Sequence, residues 1–167
     1  MTDVEIPKRA LVTESAAELL RDLQQRHGAL MFHQSGGCCD GSSPMCYPDG
    51  DFIVGDRDVL LAVLDVGDGG VPVWISGPQF DAWKHTQLVI DVVPGRGGGF
   101  SLEAPEGKRF LSRGRAFTDD ENRALDAEPP VTGSAYERGE RPPATGTHVV
   151  AEAGLEIQDA CAIPVAE

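Results

Sequence analysis

Basic residues are scarce in this chain: 14 Lys and Arg stand against 27 Asp and Glu, for a formal net charge of −13. Proteins that grip nucleic acid neutralise phosphates with clustered Lys and Arg, and no such cluster is present. Nucleic-acid binding is therefore not expected, and an anionic membrane surface is disfavoured for the same reason. Long hydrophobic runs are also missing, since nothing approaches the roughly 20 apolar residues of a membrane span. The N-terminal string MTDVEIPKRALVTE lacks a basic start followed by an apolar run, so no export signal is expected. A cytoplasmic location follows as the expectation. Thiols stay reduced there, and clustered cysteines read as ligands or reactive groups before disulfides.

Several catalytic signatures are absent too. There is no G-x-S-x-G nucleophile elbow and no H-E-x-x-H helix. Pro94-Gly95-Arg96-Gly97-Gly98-Gly99-Phe100 echoes a dinucleotide fingerprint, but that pattern needs G-x-G-x-x-G opening a helix. Here strand-like sequence follows, and no Lys-Ser/Thr pair completes a P-loop. The string reads as a wide hairpin turn. Aromatic residues are sparse at 6%, yet 41% hydrophobic residues leave enough for a core.

The pattern that is present predicts an α+β domain with a mostly β core and one N-terminal amphipathic helix. Ala16, Leu19, Leu20 and Leu23 recur at helical spacing over residues 15–27. Ser15 and Glu18 suit a capping box, and Gly28 suits the C-terminal stop. Short strands are expected at 30–33, 59–66, 71–75 and 88–93, with further ones at 100–103 and 108–117. Pro72 pushes its strand toward an edge or a strand start. A short helical turn is expected over 79–85. Residues 1–124 read as the domain. Residues 125–167 read as an acidic, Pro- and Gly-rich tail, expected to be mobile because it has little apolar surface to bury. Val149-Val150 and 155–157 are weak strand candidates within it.

The chemistry concentrates in His33-Gln34-Ser35-Gly36-Gly37-Cys38-Cys39-Asp40-Gly41-Ser42-Ser43-Pro44-Met45-Cys46. Three of the four cysteines fall here, and Gly36, Gly37 and Gly41 let the backbone curl around them. A curled Gly-rich loop turns amide N–H groups inward and favours thiolates. Thiolates suit zinc, copper(I), iron and iron–sulfur clusters. Cys38, Cys39 and Cys46 with His33 or His85 would make a tetrahedral zinc set. Adjacent Cys38 and Cys39 do not readily chelate one ion together. His33 alone reads more often as a satisfied strand histidine than as a ligand, His85 equally as a cap on the 80–84 turn, and Cys161 as incidental. A different outcome of the same residues is a thiol nucleophile at Cys38 or Cys39 with a histidine base. A third is an interaction module whose cysteines are structural.

HQSGGCCDGSSPMC, WKHTQLVIDVVPGRGGGFSLEAPEG and FLSRGRAFTDDE together resemble the uncharacterised bacterial domain-of-unknown-function family 779, over about residues 12–121. That resemblance implies an aldehyde dehydrogenase as genomic neighbour and partner, and no established activity. The chain is also more distantly similar to the HesB-like, A-type iron–sulfur carriers. Gly36-Gly37-Cys38 matches their glycine–cysteine turn, and Ile90-Asp91-Val92-Val93-Pro94-Gly95 their strand and turn. Gly98-Gly99-Phe100 and Ala104-Pro105-Glu106-Gly107 match the remaining pieces. The carriers close with a C-G-C pair, where this chain has Lys108-Arg109-Phe110-Leu111-Ser112-Arg113. Only the Cys38 ligand carries over, and Cys39 and Cys46 are new. The resemblance implies a HesB-like domain, a homodimer, and a site rebuilt from the loop cysteines and a histidine. The expected function is that of a metal- or iron–sulfur-binding accessory protein of an aldehyde or alcohol dehydrogenase system, more a binder than an enzyme.

Overall fold

A computed structural model describes residues 8–34, 44–50, 54–66, 70–95, 101–127, 130–139 and 149–150. Branched aliphatic residues draw most of these segments into extended chain, where their side chains pack on a pleated surface. In chain order, strand β1 (Ala10–Thr13) leads into helix α1 (Glu14–His27), then β2 (Leu30–Gln34) and β3 (Met45–Pro48). Next come β4 (Val59–Asp65), β5 (Gly70–Ile75), α2 (Gly77–Trp83) and β6 (Thr86–Pro94). A 3-10 turn (Ala104–Glu106) precedes β7 (Lys108–Ala116), α3 (Asp119–Asp126), β8 (Val131–Thr132), α4 (Gly133–Glu137) and β9 (Val149–Val150).

The class is α+β, with two mixed sheets. One has the order β7-β6-β1-β9, the other β3-β2-β5-β4-β8. Parallel β1/β6 lies beside antiparallel β6/β7 in the first, and parallel β2/β5 beside antiparallel β2/β3 and β4/β5 in the second. The inward residues of both sheets share one core with the apolar stripe of α1. Val12, Ile90 and Phe110 come from one sheet, Phe32, Val73 and Ile75 from the other, and Leu20 and Leu23 from the helix. Phe32 meets Phe110 edge to face across the gap, with ring centroids 4.9 Å apart.

Helix α1 follows the expected stripe, but its cap differs. Thr13, still extended, accepts a hydrogen bond from the Ala16 amide, so the helix opens at Glu14 and Ser15 lies inside its first turn. Gly28 ends the helix at φ 82°, a conformation that only glycine takes without strain. Pro72 does not mark an edge: β5 is interior, between β2 and β4. The β2 ladder begins only at Val73, so the proline has a ladder partner in β4 alone and its missing N–H costs nothing on the other side. Residues 101–103 form a turn and not a strand, and Phe100 lies outside the described residues.

Two further elements carry cues that the alternation argument overlooked. Helix α3 is opened by a capping box in which Thr118 and Glu121 satisfy each other's backbone amides. Residues 130–139, of tail-like composition, pack on the five-stranded sheet. Val131 and Thr132 pair with β4, and Tyr136 stands edge to face on Trp74 at 5.3 Å. Gly133 sits so close to Gly55 that a β-carbon would lie 2.0 Å from the Gly55 carbonyl oxygen. The candidate at 149–150 is a short strand parallel to β1, while 155–157 lie outside the described residues. No helix among the described residues is long and apolar enough to cross a membrane.

Candidate functional site

Strands β2 and β3 form a hairpin paired from Leu30↔Pro48 to His33↔Met45. Its connection carries Gly36, Gly37, Cys38, Cys39 and Gly41, all of which lie outside the described residues, as do Arg96 to Phe100 and Cys161. What the structure does define is the root of that hairpin. Residues directly opposite each other in an antiparallel pair share a face, and neighbours along a strand alternate. Cys46 lies opposite Phe32, so both point into the core between the sheets. His33 therefore points to the other face.

On the inner face, Cys46 is fully buried and its thiol is free. Its amide donates to the Ser101 hydroxyl at 2.9 Å, and its carbonyl accepts from the Leu102 amide at 3.0 Å. The Ser101 hydroxyl in turn donates to the Glu103 carboxylate. Glu103 has no exposed surface, and its Oε1 has no hydrogen-bond partner. Burial raises the Glu103 pKa above the ordinary carboxylate range, against the smaller opposite pull of the Ser101 hydroxyl and the amides of Glu103 and Phe110. Burial likewise pushes the Cys46 thiol far above its usual value, and the neighbouring Glu103 charge adds to the shift. One residue pair further along, Ser112 donates to Gln34 at 2.9 Å, both side chains buried. The polar groups thus gather around the Phe32–Phe110 contact, at the end of the sandwich from which the cysteine loop leaves β2.

On the outer face, His33 is 3% exposed. Its Nε2 lies 2.9 Å from Asp58 Oδ2, which also accepts from the Gly55 amide. Trp74 stands in register beside it on β5, within a small apolar cluster of Met31, Leu60 and Trp74 flanked by Tyr47 and Tyr136. His85 is on neither face. It is exposed at the start of β6, with Nδ1 3.1 Å from Asn122 Oδ1 of α3, and its carbonyl accepts from the Phe117 amide. The cap of the preceding helix is the Lys84 amide on the Phe80 carbonyl.

Of the residues singled out by type and spacing, the fold therefore separates the three it describes. Cys46 faces inward, His33 outward, and His85 is tied to α3. Among the described residues no group of three or more His, Cys, Asp or Glu stands ready to hold a metal. Sequence reasoning missed Ser101, Glu103 and Asp58. Glu103 stands between Leu102 and Ala104, with Ser101 and Glu106 close by, and no periodic pattern marked it.

Two mixed sheets around one helix, with a buried thiol and carboxylate at the root of a cysteine-bearing hairpin, define the class. Residues 19–116 match the model of the domain of unknown function family DUF779, and the chain belongs to that family. The matched span runs from within α1 to the end of β7, so it holds the cysteine loop, Asp58 and Glu103 and leaves out β1, α3, β8, α4 and β9. No curated protein and no solved structure matches the chain.

Proposed function

We propose that this protein binds a transition metal or an iron–sulfur group through the thiolates of the Cys38–Cys46 segment, as an accessory to an aldehyde or alcohol dehydrogenase system. The observation that carries the reading is Cys46, a free thiol fully buried at the root of the cysteine-bearing hairpin. The Glu103 charge adds to the upward shift that burial imposes on this thiol, and a buried acceptor without a donor, such as Glu103 Oε1, costs about 1–3 kcal/mol. A cation replaces the protons and partners the oxygen in one event. The donor types, sulfur and carboxylate oxygen, fit zinc or iron. Cys38 and Cys39, in the connection of the same hairpin, supply the further thiolates in this reading. His33 is set apart from it, because it shares no face with Cys46. The HesB-like resemblance would suit a strand-rich core and an early helix, although here a strand precedes that helix and three further helices follow. The homodimer and the dehydrogenase partner rest on the family resemblances alone.

A second reading rests on a different observation, the 2.9 Å contact between His33 and Asp58. A histidine oriented by a carboxylate is the base of many thiol-dependent enzymes. In that reading Cys38 or Cys39 is the nucleophile, and Cys46 is excluded by its burial and raised pKa.

Purification without oxygen and without a histidine tag, followed by metal and acid-labile sulfide analysis, tests the first reading. Near-stoichiometric metal that disappears in Cys38→Ser and Cys46→Ser supports it. Sulfide with iron selects the cluster. Full metal retention in both variants, or no metal after reconstitution, overturns it. A Cys38 or Cys39 thiol titrating well below the ordinary ~8.5 in metal-free protein would then favour the enzyme.

A further inference from the structure

A tight turn over residues 55–58 holds Asp58 against His33. The Asp58 amide closes the turn on the Gly55 carbonyl at 3.1 Å, and the Gly55 amide donates to Asp58 Oδ2 at 2.9 Å. That same oxygen lies 2.9 Å from His33 Nε2. Two other carbonyls of the turn are taken by a segment far along the chain. The Gly133 amide donates to the Asp58 carbonyl at 2.8 Å, and the Ser134 amide to the Asp56 carbonyl at 3.2 Å. The grip runs on along β4, where Thr132 pairs with Val59 and Val131 with Leu60. Glycine at 133 permits this approach, because a β-carbon there would lie 2.0 Å from the Gly55 carbonyl oxygen and 3.3 Å from the Asp56 α-carbon. Thr132 then caps α4, accepting from the Ala135 amide at 3.2 Å. The short helix delivers Tyr136 onto Trp74, with ring centroids 5.3 Å apart, and Trp74 stands in register with His33.

We propose that residues 131–136 are a releasable strap: closed, it covers Trp74 and holds the 55–58 turn so that Asp58 stays on His33, and open, it frees both together. Its hold is local, a run of main-chain bonds and one aromatic pair, and Val131, Thr132, Ser134 and Tyr136 are only partly buried. Elements with few buried apolar contacts open well below the free energy of global unfolding. What the strap covers is also separate from the main core. Met31, Leu60 and Trp74 form their own small cluster on the outer face, so the packing between the two sheets survives its release. The covered face and the His33–Asp58 pair lie within the span that matches the family, and the strap lies beyond it. Release removes two hydrogen bonds from the turn, takes Asp58 off the ring and opens His33 to solvent. On the thiol-enzyme reading above, this gates the histidine base. The strap itself stands without that reading, and its test reads no activity.

The test is histidine footprinting of the full chain with diethyl pyrocarbonate, read residue by residue by mass spectrometry, alongside amide hydrogen exchange. In wild type the buried His33 should react far more slowly than the exposed His27 and His85. Gly133→Val forbids the backbone approach, and Tyr136→Ala removes the aromatic contact. Each should speed His33 modification, by roughly 10-fold for Tyr136→Ala, the upper end for one aromatic pair. His85 reactivity and the protection of the β6 amides should stay at wild-type levels. In wild type the amides of 131–136 should exchange together with those of 55–58 and ahead of β6. An unchanged His33 rate in both variants overturns the proposal, and so does a wild-type His33 as reactive as His85. Exchange of the strap only in step with β6 overturns it too, because the segment is then part of the cooperative core. Should Gly133→Val not fold, Tyr136→Ala and the wild-type exchange decide. Failure of the thiol-enzyme reading leaves each of these outcomes as it stands.

Discussion

The two faces of β2 bury polar groups in opposite ways. On the outer face His33 is paired with Asp58, and Asp58 is held by the Gly55 amide, so the acid and the ring have partners. On the inner face the Glu103 carboxylate is held by Ser101 and favoured by the amides of Glu103 and Phe110, its Oε1 makes no further hydrogen bond, and burial keeps the Cys46 thiol protonated. A satisfied buried network rigidifies a fold, while a half-satisfied one is worse than an apolar core unless something completes it. On the proposed metal-binding reading, the outer pair serves structure and orientation while the inner thiol takes part in binding.

The largest expected effect would break that contrast outright. Cys46→Ser should abolish tight metal binding, whereas Asp58→Ala should leave bound metal at the wild-type level; metal lost in Asp58→Ala and kept in Cys46→Ser would reverse the two faces. Next in size is stability. Asp58→Ala strands a buried histidine and should cost about 1.5–3 kcal/mol in urea denaturation, the range for hydrogen bonds to charged groups. A cost near zero would mean that the outer pair is not structural.

The pH dependence of the metal-free protein sharpens the comparison further. The raised pKa of Glu103 means that the folded state holds its proton more tightly than the unfolded state does. Its contribution is complete below the ordinary carboxylate range and is lost as pH rises through the folded value. Metal-free protein should therefore lose stability on going from acid toward neutral pH by this group's share, and Glu103→Gln should remove that loss. An unchanged profile in Glu103→Gln would show that the carboxylate is solvated. The smallest effect lies far from both faces. Glu121 is held below the usual carboxylate range by Arg115, with the Thr118 backbone also favouring its charge. Its contribution is present above that range and fades as pH falls through its lowered value. Glu121→Gln should cost about 0.5–1 kcal/mol near neutral pH, as for a capping interaction, and leave metal affinity untouched.

Helix α1 was legible to within one residue because its signal is local: an apolar stripe at helical spacing and a glycine at the stop. Strands β2, β4, β6 and β7 were legible for the same reason. The Ser15–Glu18 cap was misplaced because Thr13, two residues earlier, offers the same chemistry from an extended residue. The position of β5 was not legible, since Pro72 is tolerated wherever the neighbouring ladder starts beyond it. Residues 130–139 read as tail because composition averages over a window, while Trp74 needs only one aromatic, Tyr136, in the right place. In the candidate site, Cys46 stood out by type and its direction did not. Glu103 was invisible as a neighbour of that segment, 57 positions away in sequence.

By itself the sequence determined the elements whose period lies within a few residues, the acidic surface, and the cysteine-bearing connection between two strands. Only the tertiary structure decided that Cys46 turns inward and His33 outward, because strand register is settled by which neighbour each strand finds and one residue of slip exchanges the faces. It alone also brought Glu103 to Cys46, since that contact depends on an edge strand recruiting a distant turn to satisfy its main chain.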